Sequence, residues 1–152
     1  MFSLAKIFTT FFYLGYSPVA PGTIGSVAAI ILWWFFLNIN FLYFLTFFLL
    51  YILFAYIFTK IYLNDEEKDD PSEIICDEVI GQFIPLFIIS STNDIYLILI
   101  AFVSFRIFDI YKLYPANYAE TLPGANGVIL DDVIAGIYAL IIVFIFKYLL
   151  SL

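Results

Sequence analysis

The chain has 152 residues, 64% hydrophobic and 12% charged, with a formal net charge of −7 and a mean hydropathy of +1.05. A soluble domain is about 45–50% apolar and about 25% charged, so the composition places this chain in a membrane, and the length allows one domain over 1–152. There is no histidine and one cysteine, Cys76, which excludes an imidazole base, an internal disulfide and a cysteine-cluster metal site.

Met1–Leu14 is apolar and aromatic but too short to span, and reads as a helix lying in the interface or re-entering it. It carries one lysine and no small-residue cleavage site, so it is not expected to be a cleaved signal. The next stretch, "SPVAPGTIGS" at Ser17–Ser26, sets two prolines, two glycines and three hydroxyls between apolar runs. Pro21 and Gly22 predict a turn, with Thr23 or Ser26 as the cap of the helix that follows. Thr23–Leu37 is that helix, and an Asn-Ile-Asn turn separates it from Phe41–Leu63. The latter is long enough to cross, since about 20 residues suffice. Asn64–Cys76 is an acidic loop broken by Pro71, Val79–Ser90 a short apolar helix closed by "SSTND", and Ile95–Tyr111 another helix. Tyr114–Asn126 is a loop with Pro115, Pro123 and Gly124, and Gly127–Leu152 is the last apolar run. A transmembrane barrel needs roughly ten-residue alternating segments; these runs are continuous. The expected fold is all-α, a polytopic membrane protein of about four transmembrane helices plus the short N-terminal segment.

Following the chain back and forth across the bilayer puts every polar cluster at one end. The stretch at 17–26, the acidic loop at 64–78, "FRIFDIYK" at 105–112 and "NGVILDDVIAG" at 126–136 all fall there. Lys6, Lys60, Lys68, Arg106 and Lys112 share that end, and Lys147 lies opposite. Cytoplasmic loops are rich in Lys and Arg, so the shared face is the cytosolic one. Of thirteen acids, eight lie between Asp65 and Glu78. Asp65–Asp70 reads as a solvated loop, but Asp77 and Glu78 run straight into an apolar helix.

Charges inside apolar helices are costly and need a reason. Asp77 and Glu78 open a helix in "CDEVIGQ"; Arg106, Asp109 and Lys112 recur at i, i+3, i+6; Asp131 and Asp132 sit in "GVILDDVIAG". At 100° per residue the second set spans a sector of about 120°, one helix face. Grouped carboxylates are hard-oxygen ligands suited to Mg²⁺. Arg and Lys beside them suit phosphate, the first as a planar fork and the second as a point charge. Each set also has an ordinary structural use: a helix-dipole partner, a buried ion pair, a helix start. Their coincidence on one face is what argues for a metal–phosphate site. "PGTIGS" lacks the Lys-Ser/Thr of a P-loop, yet a helix N-terminus with glycines lets backbone approach a phosphate; the alternative is packing through Gly25 and Ser26.

The four motifs, in this order and spacing, resemble the phosphatidylglycerophosphatase A family of small bacterial inner-membrane lipid phosphatases, over about Leu14 to Ala139. The matching positions are Pro21, Gly22, Thr23, Gly25 and Ser26; Asp77, Glu78 and Gly81; Phe105, Arg106, Phe108, Asp109 and Lys112; and Asp131, Asp132, Ala135 and Gly136. The chain departs from the family pattern at Leu113-Tyr114-Pro115 and at "PGANG". The resemblance implies Mg²⁺-dependent removal of the terminal phosphate of phosphatidylglycerophosphate, in a multi-pass protein of the bacterial cytoplasmic membrane. On that reading Asp77, Glu78, Arg106, Asp109 and Lys112 are catalytic, and Asp77, Glu78, Asp131 and Asp132 hold the metal. Pro21, Gly22, Thr23, Gly25 and Ser26, with Arg106 and Lys112, bind substrate. The expected partners are a phospholipid and the membrane, not nucleic acid. A phosphatase for phosphatidate or a prenyl phosphate, and a cation transporter, are the alternatives; oligomeric state, metal count and nucleophile stay open. Histidine-dependent lipid phosphatases are excluded by composition. A Cys-x5-Arg phosphatase is excluded because the residue six after Cys76 is Gln82, and no Asp-x-Asp motif occurs.

Overall fold

Pro21 decides where the first long helix begins. Proline has no N–H to leave unsatisfied and its φ is already helical, so it is favoured at a helix's first position. In the computed structural model, which describes residues 2–37, 39–66 and 71–150, that helix runs Pro21–Phe36 (α2), two residues earlier than its apolar run suggests. Neither Thr23 nor Ser26 caps it. The N-cap is Ala20, left-handed at φ 47°, with no side-chain bond, and the buried Ser26 Oγ instead donates to Gly22 O at 2.9 Å.

The described residues are helical, with no strand among them. Before α2 come α1 (Phe2–Thr9) and a 3₁₀ turn at Leu14–Tyr16; after it come α3 (Phe41–Glu66), α4 (Cys76–Leu86), α5 (Ile95–Tyr111), α6 (Ala116–Glu120) and α7 (Ala125–Leu150). The N-terminal apolar segment is thus broken after Thr9, α3 reaches into the acidic run, and the loop expected at 114–126 contains α6. Asn38 and Glu67–Asp70, including Lys68, lie outside the described residues, and with them most of the expected solvated loop.

α3 and α7 are long and apolar enough to cross a membrane. Only 22% of the most apolar window of α3 is buried in the protein, so it is not the core helix of a soluble domain. The core helix is α4, where every residue but Glu78 is buried. The Phe83 ring lies 5.6–6.3 Å, centroid to centroid, from Phe44, Phe47, Phe48 and Tyr51 of α3, all steeply inclined, the edge-to-face geometry aromatic pairs favour. Eleven residues make α4 about 17 Å long, roughly half the hydrocarbon thickness. Just past its end, Lys147 Nζ from α7 donates to Ile88 O at 2.6 Å, satisfying a carbonyl that would otherwise be orphaned.

Glycines set the helix spacings. A Cβ on Gly136 of α7 would collide with the Gly81 carbonyl of α4, and one on Gly81 would meet Asp132 O at 2.7 Å and the Phe105 ring. A Cβ on Gly25 of α2 would lie 2.9 Å from Ile75 O and 3.3 Å from Glu78 Cβ. Small residues at such crossings let membrane helices approach closely. The approach also carries the N-termini of α2, α4 and α7 and the C-terminus of α5 to one end. The chain leading into α4 is fixed by Ile75 N–H donating to Thr9 O at 2.9 Å, and by Tyr62 donating to Glu73 Oε1 at 3.1 Å.

Candidate active site

All four motifs meet in one cavity of about 260 Å³ at that end, lined by Pro21 and Gly22, Asp77 and Glu78, Arg106, Asp109 and Lys112, and Asp131 and Asp132. Thr23, Gly25 and Ser26 do not line it. Gly25 and Ser26 lie in the packing of α2 instead. Thr23 N–H bonds Ala20 O at 3.0 Å, so at the start of α2 the backbone donor without a partner among the described residues is the Gly22 amide.

Three carboxylates converge. Asp77, Glu78 and Asp132 each place one oxygen within 4.8 Å of the others'. Asp77 is 8% and Asp132 3% exposed, and among the described residues no ion pair neutralises any of the three. The two acidic pairs share a local device: Asp77 Oδ1 accepts the Glu78 N–H at 3.0 Å, and Asp131 Oδ1 accepts the Asp132 N–H at 2.9 Å. Each first Asp is thereby held by its neighbour's backbone. Glu78 Oε2 is buried with no partner among the described residues. Three carboxylates at this spacing, two of them buried and the third with a buried oxygen that has no partner among the described residues, suit a hard divalent cation, so these residues fit a bound metal ion such as Mg²⁺.

Asp131 does not join the cluster. Adjacent residues on a helix point about 100° apart, and Asp131 Oδ2 instead accepts Lys112 Nζ at 2.8 Å, while Glu120 Oε1 accepts it at 2.7 Å. Lys112 ends α5 in the left-handed region, φ 43°, which turns the chain toward α6. Burial alone would lower its ammonium, but the bonds to Asp131 and Glu120 outweigh this and hold it above its ordinary value; it stays charged at neutral pH.

Arg106 Nη1 bonds Asp109 Oδ2, so the i, i+3 spacing read from sequence is an ion pair on one helix face. Arg106 Nε is buried without a partner among the described residues. A Cβ on Gly22 would meet Glu78 Oε1, and would lie 2.9 Å from Arg106 Nη1 and 3.0 Å from Nη2. The bare Cα of Gly22 is therefore what lets the Glu78 carboxylate and the Arg106 guanidinium share one wall.

Two residues, one bonded to Lys112 of the site and one a turn along α4 from Glu78, carry no motif signal or only a faint one. Glu120 stood in an apparently structureless loop, and nothing in its neighbours announced a bond to Lys112. Gln82 was visible as a lone amide one turn after Glu78 in an apolar helix, and both its amide atoms are buried without partners among the described residues.

The family model described as phosphatidylglycerophosphatase A matches residues 7–147. A Bacteroides thetaiotaomicron protein named "Putative phosphatidylinositol-3-phosphatase" is 35% identical over 97% of this chain and 96% of its own length. Proteins named phosphatidylglycerophosphatase A from Haemophilus influenzae and Escherichia coli are 40% and 32% identical, covering 85% and 81% of this chain and 80% and 72% of theirs. No solved structure matches the chain. A match of this extent, with its motifs gathered in one cavity, makes the chain a member of the phosphatidylglycerophosphatase A family.

Proposed function

We propose that this protein is a phosphoric monoester hydrolase that removes the terminal phosphate of phosphatidylglycerophosphate, yielding phosphatidylglycerol. The observation that carries this reading is the meeting of a three-carboxylate cluster with Arg106 across Gly22, in the one cavity where the family's four motifs converge. Asp77, Glu78 and Asp132 hold the metal, Mg²⁺ by the hardness of their oxygens. Bound there, the ion supplies charge neutralisation of the phosphomonoester and a more acidic water.

The remaining work falls to side chains. Arg106, fixed by Asp109, presents its guanidinium fork to the phosphate oxygens, where charge builds as the reaction proceeds. The Gly22 amide donates to the same group from the start of α2. Lys112, tied to Asp131 and Glu120, adds fixed positive charge beside it. Hydrolysis forms a P–O bond to water and breaks the P–O bond to the lipid alcohol, and the cluster's carboxylates are the bases at hand for the water's proton.

The whole chain serves as one membrane-embedded domain in the bacterial cytoplasmic membrane. In this arrangement α2, α3, α5 and α7 cross, α4 and the residues after it descend about half-way, and α1 lies at the interface. The site opens to the cytosol, supported by the gathering of Lys6, Lys60, Arg106 and Lys112 at its end against Lys147 alone at the other.

The test is phosphate release by the purified protein in detergent from phosphatidylglycerophosphate, phosphatidate and a prenyl phosphate, with and without Mg²⁺. A 3-phosphoinositide belongs in the same panel, because the relative named for that activity covers nearly all of this chain. Preference for the phosphoinositide would replace the substrate and keep the chemistry; no release from any of them would overturn the assignment.

A further inference from the structure

Beyond its acidic pair, α4 runs into the apolar interior and carries one amide there. Gln82 is fully buried, and both its amide atoms lack a hydrogen-bond partner among the described residues. Glu78, four residues earlier, carries the complementary defect in its buried and unpartnered Oε2. The carboxylate oxygen lacks a donor, and the amide NH₂ lacks an acceptor.

Helix geometry brings the two together. Four residues along an α-helix are a rise of about 6 Å and a rotation of about 40°, so Gln82 stands one turn from Glu78 on the same face. Helical side chains lean toward the N-terminus, which carries the Gln82 amide back over Glu78. The two groups are not bonded in the structure, and since both stand on one helix, only side-chain torsions separate them. Two other buried donors lack partners among the described residues, Tyr51 Oη and Arg106 Nε, and neither is placed as well. The Tyr51 ring packs on Phe83 at 6.3 Å between centroids, and Phe83 lies about 140° round α4 from Glu78. Arg106 comes from α5, with its guanidinium already bonded to Asp109.

We propose that Gln82 is a positioning residue for the metal site: its amide donates to the Glu78 oxygen that the cation leaves free, and so holds this carboxylate in aim with Asp77 and Asp132. Gln82 touches neither the ion nor the substrate. Carboxylates that ligate metals are themselves held by hydrogen bonds, and those bonds tune affinity. The inference rests on the metal reading of the cluster and adds to it the residue that fixes one of its three donors.

The experiment follows the thermal unfolding midpoint of the purified protein in detergent against Mg²⁺ concentration, for wild type, Gln82→Met, Gln82→Leu and Tyr51→Phe. A ligand of the folded state raises the midpoint, so the curve reads binding without turnover. It should move to about tenfold higher Mg²⁺ in both Gln82 variants, the cost of losing a partner of a metal ligand, and stay in place in Tyr51→Phe. Without Mg²⁺, Gln82→Met should melt above wild type, because an unmet amide is gone; with Mg²⁺ that gain should shrink. A purely structural role would change the midpoint equally at every Mg²⁺ concentration. A curve that stays in place in both Gln82 variants overturns the proposal and leaves the metal cluster standing. So does an equal displacement in Tyr51→Phe, which would make the phenol the partner, and so does failure of both Gln82 variants to fold, which would make the amide part of the core. A wild-type midpoint that Mg²⁺ does not move overturns the metal reading and this inference together.

Discussion

Gly22 on α2 and Arg106 on α5 are in contact through the absence of a side chain: a Cβ on Gly22 would lie 2.9 Å and 3.0 Å from the two terminal guanidinium nitrogens and overlap Glu78 Oε1. Gly22→Ala must therefore push either the guanidinium or the carboxylate aside. Misplacement by about 1 Å costs on the order of 10²-fold in rate, so phosphate release per folded protein should fall by that amount while the protein still inserts. Near wild-type turnover in Gly22→Ala would remove this contact from the mechanism.

Arg106→Lys keeps the charge but loses the fork and the paired geometry with Asp109. Turnover should drop by about 10²-fold or more, as for loss of one preorganised donor in a transition state. The check is kcat and KM on the lipid substrate, with kcat carrying most of the loss. A fall confined to KM would mean that Arg106 only captures substrate.

The neighbouring aspartates of α7 should behave differently. Asp132→Asn, like Asp77→Asn and Glu78→Gln, removes a ligand of the cluster and should raise the half-saturating Mg²⁺ concentration and cut turnover by at least about 10²-fold. Asp131→Asn loosens Lys112 and should reduce turnover less, without moving the Mg²⁺ requirement. Metal titrations of activity separate the two, and equal Mg²⁺ shifts in both would return Asp131 to the metal.

Chelation should silence the enzyme reversibly. The donor set is all oxygen, so Mg²⁺ should restore activity and Mn²⁺ should substitute. Full activity in excess chelator would leave the carboxylate cluster without its proposed task.

Gln82 gives a stability prediction. Both its amide atoms are buried and unpartnered, and an unmet buried polar group costs about 1–3 kcal/mol. Gln82→Met is near-isosteric and should raise the thermal unfolding midpoint in detergent. A lowered midpoint would show that the amide has found a partner in the membrane-embedded protein.

Much of this was legible in the residues. The apolar runs of α3 and α7 were unbroken, and counting crossings placed all four motifs at one end, where the cavity lies. The spacing of Arg106, Asp109 and Lys112 gave their shared face. Other features were hidden for physical reasons. Pro21 needs no hydrogen bond to start a helix, so the apolar run began later than α2 itself. Two adjacent aspartates are equal in sequence, and only the rotation of α7 against α4 sends Asp132 to the cluster and Asp131 to Lys112. Glu120 is eight residues from Lys112, a separation set by the turn at Lys112 and by α6, and no helical periodicity encodes it.

The Gly81–Gly136 crossing has an evolutionary corollary. The nearest approach of α4 to α7 is backbone against backbone there, Gly136 facing the Gly81 carbonyl, and neither glycine has a side chain whose size could be adjusted in small steps. The distance between Asp132 and the Asp77–Glu78 pair is thus held as a fixed gauge, and drift in sequence at that crossing has no gradual route.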